Sequence, residues 1–268
     1  MKKDSNKAIY LYCLTRSDYL ESIEEKGVDG QGPIFLHIFK EVAAIVSMVF
    51  LDEFCGPSGE SRMQDLSWVG PRARRHEKII EQVMHHSPVF PARFGTLFSS
   101  PSSLDKLLQK HHDTILQFLD RVIDKEEWSV KVLLDRTKAK EKRLSMMFSK
   151  ESEHLASLAP GKRYFREQQI RAVIEKELSD WLKEICMGIA DDISDYATDF
   201  FERKLLPYGA TGTDGEIIFN WAFLVPQNTM SVFLERIKQL NADHASQGLT
   251  FAISGPWPPY SFTPSVDK

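Results

Sequence analysis

The sequence predicts an α+β protein of two domains, an N-terminal mixed α/β sheet domain over 7–124 and a second sheet-and-helix domain over 125–268. Short apolar runs of β-forming residues recur in both halves, and long stretches with apolar residues three and four apart separate them. The length of 268 residues exceeds one ordinary domain of roughly 100–200 residues. A hydrophobic share of 42% with 27% charged residues supplies enough apolar side chain to offset chain entropy.

Ile9 to Thr15 is apolar on both alternating faces and too short for a typical helix, which predicts a buried central strand. Beyond the turn-rich Gly27 to Pro33, Ile34 to Phe39 and Val42 to Phe50 read as a hairpin joined by Lys40-Glu41. Cys55 to Gly59 interrupts the pattern. Leu66, Val69, Ile79, Ile80 and Val83 then predict a helix from Ser61, broken at Gly70-Pro71 and ended by His85-His86-Ser87-Pro88. In Val89 to Thr96, Pro91 is tolerated only at a sheet edge or bulge. Ser100 caps a helix with Pro101 at its first position and one apolar stripe from Leu104 to Val122.

Trp128, Val130, Val132 and Leu134 alternate with Ser129 and Lys131, so a second sheet begins there. Lys138 to Leu158 is helix-like, and Pro160-Gly161 separates it from a helical period running to about Leu206. Pro207-Tyr208-Gly209 stops that helix, and Asp214-Gly215 turns a short strand into the strand Ile217 to Val225. A helix capped by Asn228 or Thr229 carries Val232, Phe233, Ile237 and Leu240, and Leu249 to Ser254 is the last strand. Strand, helices, two strands, helix, strand is the order of a ferredoxin-like domain, with Lys138 to Leu158 as a long helical insertion.

Composition excludes several classes. A net charge of -4 gives no general attraction to nucleic acid or anionic lipid, and RNA binding by a sheet face would need a basic surround. Arg72, Arg74 and Arg75 precede Glu77 and Glu81 at helical spacing, as on a solvated face with internal ion pairs. Cys13, Cys55 and Cys186 are odd in number and far apart, which suits a reducing cytoplasm rather than disulfides or a thiolate metal site. No apolar leader follows Met1-Lys2-Lys3-Asp4 and no long apolar span occurs, so neither export nor a membrane span is expected.

No catalytic, cofactor-binding or metal-ligating set emerges. Gly209 to Gly215 is followed by a strand and lacks Gly-Lys-Ser/Thr, so it reads as a hairpin turn rather than a phosphate loop. His85-His86 and His111-His112 point about 100° apart on a helix and have no partner at ligand spacing, and His76-Glu77 lacks a second histidine four residues on. Arg93, alone in an apolar segment, must pair, with Glu126 or Glu127 as partner, or be aimed at a ligand. Arg163 and Arg166 lie near a helix start, where the dipole disfavours cations, which points to an interdomain pair or a ligand. In Gly255 to Phe262, Trp257, Tyr260 and Phe262 sit among prolines, either packed across a sheet or forming an aromatic platform for a hydrophobic partner.

Four segments together resemble the gas vesicle protein F/L family: Ile9-Tyr-Leu-Tyr-Cys, Val89-Phe-Pro-Ala-Arg-Phe-Gly-Thr, Glu127-Trp-Ser-Val-Lys-Val and Gly255-Pro-Trp-Pro-Pro-Tyr-Ser-Phe. Gly161-Lys-Arg-Tyr-Phe, ahead of the long helix, is similar to the family's Gly-x-x-Tyr pattern. The resemblance implies a non-enzymatic accessory protein with no cofactor and no catalytic residues, cytoplasmic or associated with the vesicle. It implies contact with the small hydrophobic main shell protein, and with other accessory proteins, early in vesicle formation. Arg93, Trp257, Tyr260 and Phe262 are the candidate partner-binding residues. The competing class is a small-molecule-binding or enzymatic ferredoxin-like protein, which a deep polar pocket around Arg93, Arg163 or Arg166 would favour.

Overall fold

A computed structural model describes residues 6–18, 23–205 and 216–266. The chain is mixed α+β with two sheets. It divides into one compact unit made of the chain up to Glu126 together with the segment from Trp257 on, and another of Glu127–Pro256. The tail therefore belongs with the first unit and not with the second half of the sequence, because Tyr260 packs into the first unit's core.

The first unit contains β1 (Lys7–Arg16), β2 (Ile34–Phe39), β3 (Val42–Phe50), α1 (Leu51–Phe54), α2 (Gly56–Gln64), α3 (Leu66–Met84), β4 (Phe90–Pro91), β5 (Leu97–Phe98) and α4 (Pro101–Val122). Its sheet runs β2-β3-β1-β4, with β5 also paired to β1. As the doubly apolar run requires, β1 is central and buried on both faces. A bulge between Leu11 and Cys13 shifts the register against β3. Tyr10, Tyr12 and Cys13 meet Ile79, Ile80 and Val83 of α3. Leu104, Leu108, Ile115 and Leu119 of α4 are fully buried as that helix packs on β1 and β3. Ser100 forms the expected cap, its hydroxyl accepting from the Ser103 amide at 3.2 Å.

The expected break at Gly70-Pro71 does not occur. Pro71 lies inside α3, and the break falls earlier, at Asp65, whose carboxylate accepts from the Ser67 amide at 2.9 Å and starts the helix. Pro71 sits in the second turn, where its missing N–H costs one bond near an end that is already incomplete. Arg72 pairs with Glu53 at 3.7 Å and stacks on Trp68 at 4.2 Å, so its contacts lie off the expected Glu77 and Glu81 ladder.

The second unit contains β6 (Lys125–Leu134), α5 (Arg136–Lys150), α6 (Ser152–Ser157), α7 (Pro160–Ser194), β7 (Asp199–Glu202), β8 (Glu216–Pro226), α8 (Met230–His244) and β9 (Leu249–Trp257), in the sheet order β7-β8-β6-β9. Val130, Val132, Trp221 and Phe223 on the sheet meet Leu178 and Leu182 of α7 and Phe233 and Ile237 of α8. A smaller cluster of Leu155, Ile170 and Ile174 joins α6 to the first half of α7. The long helix ends at Ser194, well short of Leu206, because Asp199–Glu202 pairs with β8 instead. Gly209 to Gly215, including the expected turn at Asp214-Gly215, lies outside the described residues. Thr229 stands at the start of α8, but its hydroxyl donates to the carbonyls of Tyr196 and Pro226 and not to a helix cap.

Gly248 ends the α8 region at φ +77, and a Cβ there would lie 2.6 Å from the Asp135 carbonyl oxygen and 2.9 Å from the Ala139 amide. Gly248→Ala is therefore expected to cost more than about 1 kcal/mol, read as a lower urea midpoint, because left-handed backbone and a backbone clash coincide.

Candidate functional site

The segment Phe90 to Phe98 leaves and rejoins one edge of β1. Phe90 and Pro91 pair with Leu14 and Cys13, and Leu97 and Phe98 pair with Tyr10 and Ile9. Pro91 is thus at an edge, one of the sheet positions its missing N–H allows. Between the two short strands the chain turns outward. The Ala92 amide donates to the Tyr12 carbonyl at 2.9 Å, the Leu11 amide to the Thr96 carbonyl at 3.0 Å, and the Thr96 amide to the Arg93 carbonyl at 3.1 Å. Gly95, at φ +82, closes the turn, and its amide donates to the Tyr10 hydroxyl at 3.1 Å.

His76 of α3 secures this turn from beneath. Its Nε2 lies 3.0 Å from the Ala92 carbonyl, which can only accept, so Nε2 carries the proton and Nδ1 accepts from the Tyr10 hydroxyl at 3.0 Å. Burial pushes the imidazole pKa down to about 4, so the ring is neutral near pH 7. The Tyr260 hydroxyl donates to Glu77 Oε1 at 2.8 Å and fixes the tail to the same helix. Burial raises the Glu77 carboxyl and the Tyr10 and Tyr260 phenols above their ordinary values.

A cavity of about 260 Å³ opens beside the turn. Leu11, Leu14, Phe90 and Leu107 give it an apolar floor, and tail residues from Tyr260 to Val266 form a wall. Arg93 is exposed and is, among the described residues, the one charged residue in the lining. Among the described residues its guanidinium has no carboxylate partner, and the expected ion pair with Glu126 or Glu127 is replaced by one between Glu127 and Arg203.

Of the predicted partner-binding residues, Arg93 and Tyr260 converge on this cavity. Trp257 is 39% exposed, while Phe262 is 8% exposed and serves the interior. Arg166 makes a double ion pair with Glu151 at 2.6 and 2.8 Å, and Arg163 pairs with Glu167 at 3.0 Å, so the cations at the start of α7 are balanced locally. No group of three metal-ligating side chains assembles among the described residues, and Cys13 and Cys186 are buried thiols whose pKa values burial raises. No helix among them is long and apolar enough to cross a membrane.

The architecture is similar to that of two gas vesicle proteins of known structure. The crystal structure of gas vesicle protein GvpF from Anabaena sp. PCC7120 aligns with a TM-score of 0.69 at 20% identity, over 97% of each chain. That of GvpF from Microcystis aeruginosa gives 0.66 at 17% identity, over 96% of this chain and 99% of that one. By sequence the chain is 26% identical to gas vesicle protein L of Streptomyces sp. (strain CB03234), covering 94% of this chain and 91% of that protein. It is 25% identical to gas vesicle protein F of Dolichospermum flosaquae, covering 87% and 88%. Residues 8–264 match the family described as gas vesicle synthesis protein GvpL/GvpF, and the chain belongs to that family.

Proposed function

We propose that the chain is an accessory protein of gas vesicle assembly that binds the small hydrophobic main shell subunit and limits its aggregation before it joins the vesicle. The observation that carries the reading is the family match over residues 8–264. The surface chemistry supports it, since an apolar-floored cavity and, on the same unit, an exposed Trp257 suit a protein partner better than a reaction. Shell subunits awaiting assembly would expose apolar helices and strand edges, and covering these slows their association. In this reading the second unit is a ferredoxin-like domain, supported by its βαββαβ order and the sheet order β7-β8-β6-β9. It acts in the cytoplasm and at the vesicle, together with other accessory proteins, and needs no cofactor or catalytic residue. A small-molecule site is less well supported, because Arg163 and Arg166 are paired with Glu167 and Glu151.

The test is capture of the main shell protein by this chain on co-expression, with the denatured chain as control. Specific capture is expected, and Trp257→Ala is expected to weaken it several-fold without changing the circular dichroism spectrum. Capture unaffected by Trp257→Ala removes that residue from the partner surface. No capture from soluble, folded components removes the shell subunit as partner.

A further inference from the structure

The face around Arg93 has a charge and shape that specify more than an apolar partner. The 260 Å³ cavity and a shallower depression of about 310 Å³ share Phe98 and Leu107. Arg93 lines the first, Lys106 and Lys110 line the second, and among the described residues no aspartate or glutamate lines either. A continuous apolar floor therefore lies among three cations, in a chain whose net charge is -4.

The backbone here cannot recruit a partner by adding a strand. Pro91 has no N–H, the Ala92 amide and carbonyl are engaged by Tyr12 and His76, and the Thr96 carbonyl is taken by Leu11. Recognition falls to side chains. The Arg93 carbonyl is held twice by Thr96, through its amide at 3.1 Å and its hydroxyl at 2.7 Å, so the guanidinium is presented from a fixed turn.

We propose that this face is a socket for a protein segment in which acidic and apolar side chains are neighbours. An apolar side chain enters the 260 Å³ cavity, and a carboxylate accepts two parallel hydrogen bonds from Arg93. The second depression takes the next apolar residue, with Lys106 meeting the next carboxylate. Cations spread over two joined depressions suit a segment carrying several carboxylates better than a single amphiphile with one. The inference rests on the accessory reading only in taking this face as the partner-facing one.

The experiment measures fluorescence anisotropy of a labelled short peptide of alternating Glu and Leu, its Gln and Leu counterpart, and decanoate as competitor. The full chain is used as wild type, Arg93→Gln and Arg93→Lys, with folding checked by circular dichroism. The Glu peptide is expected to bind at least ~10-fold more tightly than the Gln peptide, with Arg93→Gln removing most of that difference and Arg93→Lys restoring part of it. Equal binding of the two peptides, or no effect of Arg93→Gln, overturns the socket. Decanoate binding as tightly as the peptide overturns the protein-segment assignment. Arg93-dependent peptide binding without shell-subunit capture upholds the socket and removes the accessory reading. Capture without Arg93-dependent peptide binding does the reverse.

Discussion

His76→Ala is expected to destabilise the first unit by about 3 kcal/mol above pH 7, since it opens a cavity and leaves the Tyr10 hydroxyl and Ala92 carbonyl without their buried partner. The gap should close in acid. The folded imidazole titrates near 4 and the unfolded one near 6.5, so the unfolded chain binds more protons between these values. The contribution of the neutral ring is fully present above pH 6.5 and lost by pH 4, a change of about 3 kcal/mol at 1.36 kcal/mol per unit. Glu77, the other titratable group beside the ring, acts oppositely: burial raises its pKa, so protonation relieves its cost as the pH falls. It is present in both proteins and cancels in their difference, and the Tyr10, Tyr12 and Tyr260 phenols, all raised by burial, stay neutral throughout. Hydrogen exchange of β1 amides from pH 4 to 7.5 reads the difference directly. A gap that does not change with pH excludes a depressed imidazole pKa at this position.

Much of the framework was legible because local pattern and final burial agree. Residues of β1 are apolar on both faces and buried on both, and Ser100-Pro101 announces a helix start that the capping geometry reproduces. What escaped depends on partners distant in sequence. His76 is separated from Tyr10 by 66 residues and from Tyr260 by 184, so nothing beside it marks it as the anchor of the Arg93 turn. Asp199–Glu202 follows a long helical period with no glycine or proline to separate them, and pairing with β8 decides its state. The tail's composition indicated a stiff apolar segment, but only the Tyr260 contacts with α3 show which core receives it. Arg93 was recognisable as a cation needing a purpose, whereas the cavity beside it arises from four chain segments that meet only in the fold.

Replacing Arg203 should have the largest effect in the second unit. Glu127 on β6 is 1% exposed, and its carboxylate is paired with Arg203, which follows β7 directly. Because the sheet order is β7-β8-β6, this pair reaches across β8, next to the hydrogen bond from Ser129 to Asn220 at 3.2 Å. Arg203→Leu leaves a buried carboxylate without its guanidinium and is expected to cost about 3–5 kcal/mol. Combining it with Glu127→Leu should recover most of that loss, since two apolar side chains do not carry the desolvation cost of an ion pair. Stability and register then separate. Among the described residues the four-residue β7 pairs with β8 alone, and Phe201 is 49% exposed, so the pair adds to a register otherwise held by Phe200 against Phe223 and by Thr198 on the Leu224 carbonyl. The double variant is expected to unfold near the wild-type urea midpoint, yet to exchange its Phe200 to Glu202 amides faster. If the single variant loses less than about 1 kcal/mol, the pair contributes no more than an exposed one. If the double variant keeps wild-type protection in β7, strand pairing alone sets the register and the ion pair is not its clamp.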